Sequence, residues 1–248
     1  LKDPDPWMES LACIAIAHLG PEARKASVND LLALAARKNP ADPREMTHRA
    51  VANALFEPYP GSDGPQGILA GSLSGVDRHL LYPAIQSVLE NDDGAARLTL
   101  EHFYDKLTDR DLAVMLPAIV KATEKLAPSD EMFGDVIRLA GLNLLARLHI
   151  REGIPLCVSV MELDRWGGGD RAPECIKALR QYGVYAKEVL PQLREMSRRA
   201  NGQNKELNKL IADIETATDS PTLVNLKDFI THASTSGDAS TNTKKGTP

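Results

Sequence analysis

The chain has 248 residues, of which 43% are hydrophobic and only 4% aromatic, so a core would be filled mostly by Leu, Ala, Ile and Val, the usual packing between helices. The formal net charge is −5 and the pI is near 5.7, with Lys and Arg interspersed among Asp and Glu, which leaves no basic stripe for a nucleic-acid backbone to follow. The longest uninterrupted apolar run, residues 11–17, is far too short to span a bilayer.

Asp5 as N-cap and Pro6 at the first helical position signal the first helix. Trp7, Leu11, Ile14 and His18 fall on one of its faces, read as the inward one. Gly20-Pro21 breaks the chain before a second helix with Val28, Leu31, Leu32 and Ala35 inward. Asp42-Pro43-Arg44-Glu45 repeats the start signal, with Glu45 closing a capping box, and Val51, Ala54 and Leu55 form the next inward face. Residues 57–75 are too rich in Pro and Gly to continue that helix and are read as an insertion. Regular pattern follows: 77–90 and 109–127 read as second helices of pairs, 93–107 and 131–149 as first helices. The stretch around Ile137, Gly141, Leu144 and Leu148 is apolar nearly all round and is expected to be the most buried element. A pair at 172–182 and 184–198 comes next, interrupted before its start by Trp166-Gly167-Gly168-Gly169-Asp170. Helices at 203–216 and 223–230 read as caps, the second folding back on the first, and residues 233–248 as a disordered tail.

Within this order a proline recurs between apolar residues, at Tyr82-Pro83-Ala84-Ile85, Leu116-Pro117-Ala118-Ile119, Ile154-Pro155-Leu156-Cys157 and Leu190-Pro191-Gln192-Leu193, each read as the start of a helix-like stretch. The steps between the prolines are 34, 38 and 36 residues, the period of a repeat made of two helices. Asp3-Pro4-Asp5-Pro6, Leu19-Gly20-Pro21-Glu22-Ala23, Tyr182-Gly183-Val184-Tyr185-Ala186-Lys187 and Val189-Leu190-Pro191-Gln192-Leu193 resemble the consensus of HEAT-type helical repeats. That resemblance, which covers roughly residues 1–198, implies an all-α fold, an α-solenoid of about five stacked antiparallel helix pairs, which with C-terminal capping helices makes a helical-repeat domain of residues 1–232. From Gly75-Val76-Asp77-Arg78 through Ile150-Arg151-Glu152-Gly153-Ile154 to Tyr182-Gly183, the chain also resembles the C-terminal part of large, uncharacterised bacterial proteins, some with an export signal and a PDZ-like region upstream. This second resemblance implies a periplasmic or extracellular location. The start at Leu1 rather than Met suggests a fragment or processed product.

Chemistry-bearing patterns are sparse. There is no GxxxxGK[ST], HExxH, GxSxG or dinucleotide fingerprint. Cys13, Cys157 and Cys175 show no metal spacing and read as buried free thiols, so no catalytic set, metal or other cofactor is expected. Glu101-His102 with Tyr104-Asp105 is the best cluster, placed on one helix where His102 and Asp105 share a face, against the reading of an ordinary solvated surface. Asp164-Arg165-Trp166 on a glycine-rich loop offers a hot-spot pair for a sugar or a protein, or else a tryptophan that plugs a joint between repeats. Asp77-Arg78 and Arg151-Glu152 open second helices, as rungs of a polar binding ladder or as ion pairs between repeats. His18 and His149 are expected to satisfy helix carbonyls.

The leading expectation is a non-catalytic helical-repeat scaffold that binds a protein partner, or an upstream domain of its own parent chain, along one face. The alternative is an accessory, substrate-positioning module of a larger secreted enzyme acting on carbohydrate. Neither expectation involves nucleic acid or a membrane span.

Overall fold

The computed structural model describes residues 1–43, 46–56, 66–91, 94–126, 134–165, 167–200 and 204–236. Among the described residues the structure is all-helical, with thirteen α-helices, two 3₁₀ helices and no strand. Two compact units divide the chain, Leu1–Thr108 with Lys125–Ala140 and Asp109–Glu124 with Gly141–Pro248.

In the first unit, α1 (Pro6–Ala17) starts where the sequence signals it, the Asp5 carboxylate accepting a hydrogen bond from the Trp7 amide at 2.9 Å. The helix after Gly20-Pro21 is two pieces, α2 (Pro21–Ala26) and α3 (Val28–Ala35), joined at Ser27, whose hydroxyl turns back to the Ala23 carbonyl. The inward faces of α3 and of α4 (Met46–Leu55) are those expected: Val28, Leu31, Leu32, Ala35, Val51, Ala54 and Leu55 are all buried. Glu45, the expected partner in the capping box, lies outside the described residues, and Asp42 accepts from the Thr47 amide at 2.8 Å. The second half of the 57–75 insertion is packed, with the Ile68 and Leu69 amides donating to the Ala54 and Leu55 carbonyls and Leu69, Ala70 and Leu73 buried. The chain continues through α5 (Arg78–Glu90), a short α6 (Gly94–Leu98) and a 3₁₀ helix at Phe103–Lys106. The single helix expected over 93–107 is thus broken into two short pieces. Its apolar and small residues collapse inward instead: all of Gly94–Leu100 is buried, and Phe103 meets Phe56 edge to face with ring centroids 4.7 Å apart. Helix α1 packs on α4, α4 on α6, and α3 on both α4 and α5.

One expectation for this unit is overturned. The Trp7, Leu11, Ile14 and His18 face of α1 points to solvent, and the helix buries Glu9 and Cys13 instead. Apolar residues on nearly every side of α1 leave periodicity without a direction to report.

The second unit contains α7 (Asp109–Glu124), the C-terminal half of α8 (Gly134–Arg147), α9 (Gly153–Met161), α10 (Gly168–Arg180), a 3₁₀ helix at Gly183–Val189, α11 (Leu190–Arg199), α12 (Lys205–Thr216) and α13 (Leu226–Ser236). Along α8 no residue from Asp135 to Ala146 is exposed, although α6, with every residue buried, exceeds it. Helix α10 begins at Gly168, so Gly168, Gly169 and Asp170 form its first turn rather than an interruption. The expected 184–198 helix is a 3₁₀ segment followed by α11. Leu207, Leu210 and Ile214 of α12 are buried and its other face is wet. Helix α9 packs on α7 and α10, and α12 packs on α10 and α11. Helix α13 runs to Ser236, past the expected start of a disordered tail, and it packs on α7 rather than folding back on α12. Residues 237–248 lie outside the described residues.

The recurring prolines also shift. Pro155 and Pro191 stand in the first turns of α9 and α11, whereas Pro83 and Pro117 lie inside α5 and α7. All four are exposed, and the residue two positions after each, Ile85, Ile119, Cys157 or Leu193, is 0% exposed. On the outer side of a helix a ring without an N–H disturbs only a solvent-facing turn.

Candidate functional site

A polar cluster sits in the first unit, around a small recess of about 10 Å³ lined by Glu9, Leu34, Arg37, Asn39, Asp42, Thr47 and His48. Glu9, the only charged residue of α1, is 0% exposed and carries an ion pair from Arg37 and a longer bond from the Asn39 amide at 3.4 Å. The Thr47 hydroxyl donates to the Pro6 carbonyl at 3.4 Å, and His48 Nε2 lies 3.4 Å from the Ser87 hydroxyl. Burial alone would raise the Asp42 carboxyl, but the Thr47 and Met46 amides outweigh it and hold the group below its ordinary range. Two carboxylates and an imidazole in one recess are what acid–base chemistry needs. Here Glu9 is committed to Arg37 and Asn39, and Asp42 to backbone amides. Among the described residues no three metal-ligating side chains converge. The cluster ties Arg37 and Asn39 to α1, and Asp42 to the start of α4. Sequence periodicity missed it, although a lone glutamate in an otherwise uncharged helix was the available signal.

The residues singled out from the sequence are engaged locally. Asp77 caps α5, accepting from the His79 amide at 2.9 Å, and Arg78 donates to the Leu73 and Val76 carbonyls at 2.8 and 3.0 Å. Arg151 pairs with Glu188 at 2.8 Å, and the Glu152 carboxylate accepts the Leu226 amide at 3.1 and 2.9 Å. Asp164 is exposed, and Arg165 pairs with Glu162 at 2.5 Å. Their loop is anchored from beneath by buried Arg171, which donates to the Glu162 carbonyl at 2.8 Å and the Arg165 carbonyl at 3.3 Å. Trp166 lies outside the described residues. The Glu101-His102-Tyr104-Asp105 group lies on a turn and the 3₁₀ helix rather than on one α-helix: His102 is exposed with Nε2 3.8 Å from Glu101, while Tyr104 is buried, which pushes its hydroxyl pKa up. His18 Nδ1 meets the Ile14 carbonyl at 2.8 Å.

The most unusual surface is the outer side of α1. Trp7 is 70% exposed, and Met8, Leu11 and Ile14 are about half exposed beside it, with no charged side chain of the helix among them. Scattered exposed apolar residues are ordinary, whereas Trp7, Leu11 and Ile14 follow one another at helical spacing on one side of α1.

No family model, curated protein or solved structure matches the chain.

Proposed function

We propose that the chain is a non-catalytic module of HEAT-like stacked helix pairs that binds a partner protein by laying a helix of that partner along the outer side of α1. The stacking is supported by the pairing pattern. Helices α1, α4 and α6 adjoin in sequence, α3 adjoins α5, and Thr47 beside Pro6 places the starts of α1 and α4 next to each other. The buried position two residues after each recurring proline fits a repeating core site.

The observation that carries the binding role is the composition of α1. A helix that is apolar all round belongs between two neighbours, and in the first unit α1 has α4 on one side and solvent on the other. Its outer strip holds no charge, so the complementary surface is itself apolar and uncharged, which describes one face of an amphipathic helix. A photo-crosslinker placed at Leu11 of the full chain tests this. An adduct mapping to an apolar helix of another protein is expected, with a synthetic copy of that helix losing affinity at least tenfold against Leu11→Asp/Ile14→Asp. Adducts only to a second copy of this chain, or undiminished binding by the variant, would overturn the reading.

A further inference from the structure

We infer that residues 217–236 form an exchangeable arm, and that the seat it occupies on α7 and on the turns at 149–152 and 183–184 accepts the arm of a second copy of this chain, giving a reciprocally swapped dimer. The inference uses none of the residues of the α1 face and stands apart from the partner proposed there.

The arm is attached mostly through its backbone. The Val184 amide donates to the Asp219 carbonyl at 2.8 Å, the Val224 amide to the His149 carbonyl at 3.0 Å, and the Arg151 amide to the Val224 carbonyl at 2.9 Å. Ile150 and Val224 form an isolated parallel bridge. The Leu226 amide, at the first turn of α13, is received by both oxygens of Glu152, so a side chain 74 residues away supplies the carboxylate that a helix start calls for. The seat is shaped for this chain: Gly183 has φ +54° and a Cβ there would stand 2.2 Å from the Asp219 carbonyl oxygen.

Yet the docking is not deep: no residue from 215 to 233 is fully buried, and Leu226, Phe229, Ile230 and Ala233 each keep part of their surface in solvent where α13 lies on α7. By contrast α9 and α10, which pack on each other, carry six and seven buried residues. An element without a fully buried side chain opens at lower cost than the core beneath it. When it opens, the seat and the arm are left complementary, and the ligand known to fit the seat is the arm itself. A cooperative unit that detaches while its site stays folded is the condition for exchange between identical chains.

The test is complementation with two full-length variants. Glu152→Ala damages the seat and keeps the arm; Phe229→Asp/Ile230→Asp damages the arm and keeps the seat. Sedimentation of each alone is expected to show monomer, while their mixture forms a heterodimer with one intact arm in one intact seat. Glu152→Gln, which retains an acceptor, is expected to behave like the native chain. A fluorescent peptide of residues 217–236 is expected to bind the arm-damaged variant about tenfold more tightly than the native chain, whose seat is already filled by an intact arm. Hydrogen exchange on the native chain supplies the measurement that needs no variant: amides of 226–236 should exchange at least tenfold faster than those of α9 and α10. A mixture that stays monomeric, a peptide that binds both chains equally or not at all, or α13 amides that exchange only with global unfolding would overturn the proposal. A peptide helix unrelated to the arm that binds the emptied seat more tightly than residues 217–236 would also overturn it, by showing the seat to be made for another protein.

Discussion

Asp42 carries a stabilising role that depends on its charge. Its carboxylate accepts the Thr47 amide at the entry to α4, and replacing it with Ala should cost about 1 kcal/mol, as removal of a helix-start acceptor does. Its folded pKa lies below the ordinary value of 3.8, so the contribution is fully present above that value and is lost as the pH falls through the folded pKa. Melting curves of the native chain and Asp42→Ala should therefore differ at neutral pH and converge in strong acid. Tyr182 and Gly153 form a second such point. The buried Tyr182 hydroxyl donates to the Ile150 carbonyl at 3.0 Å, and a Cβ on Gly153 would stand 2.0 Å from that hydroxyl. Tyr182→Phe removes one bond, for about 1 kcal/mol. Gly153→Ala drives the ring off its partner and should cost more, about 1–3 kcal/mol, both read from denaturant midpoints.

At the level of elements, what the sequence made legible was where helices begin and which way the strongly two-faced ones turn. Asp5 and Asp77 cap their helices, and α3 and α4 bury the residues their spacing picks out. Direction failed for α1, because a helix apolar on nearly every side gives no vector, and its one charged residue, Glu9, turned out to be buried. Length failed for 93–107, where local propensity for a helix yielded to burial of Gly94–Leu100. The Glu152 contact with Leu226 joins residues too far apart for any local spacing rule to connect. The solvent side of α1 leads to a direct expectation. Leu11→Asp should change folding stability by less than about 0.5 kcal/mol, as surface substitutions do, whereas Leu31→Asp places a charge in the core and should abolish cooperative unfolding of the first unit.

For the whole chain, a composition with few aromatics and abundant Leu and Ala pointed toward helices, and the described residues are all-helical. The division into two units did not, since no linker of distinctive composition marks it and α7 belongs with residues that follow it by more than a helix length. The three thiols are built-in reporters of these units. Cys13 lies in the first, Cys157 and Cys175 in the second, and all are buried and outside any disulfide. Burial pushes the Cys13 thiol up to about 12 and raises Cys157 as well, so neither presents a thiolate near neutrality. A thiol reagent at pH 8 is expected to leave all three unmodified in the native protein and to label all three in denaturant, with mass spectrometry reporting the midpoint of each unit separately.

The uncharged strip on α1 also fixes how its contacts respond to ionic strength. Sodium chloride weakens association that rests on opposite charges, but it has nothing to screen along Trp7, Met8, Leu11 and Ile14. A complex formed there should survive a high-salt wash and tighten in ammonium sulfate, which strengthens apolar burial. Mild detergent, rather than salt, is what should release it.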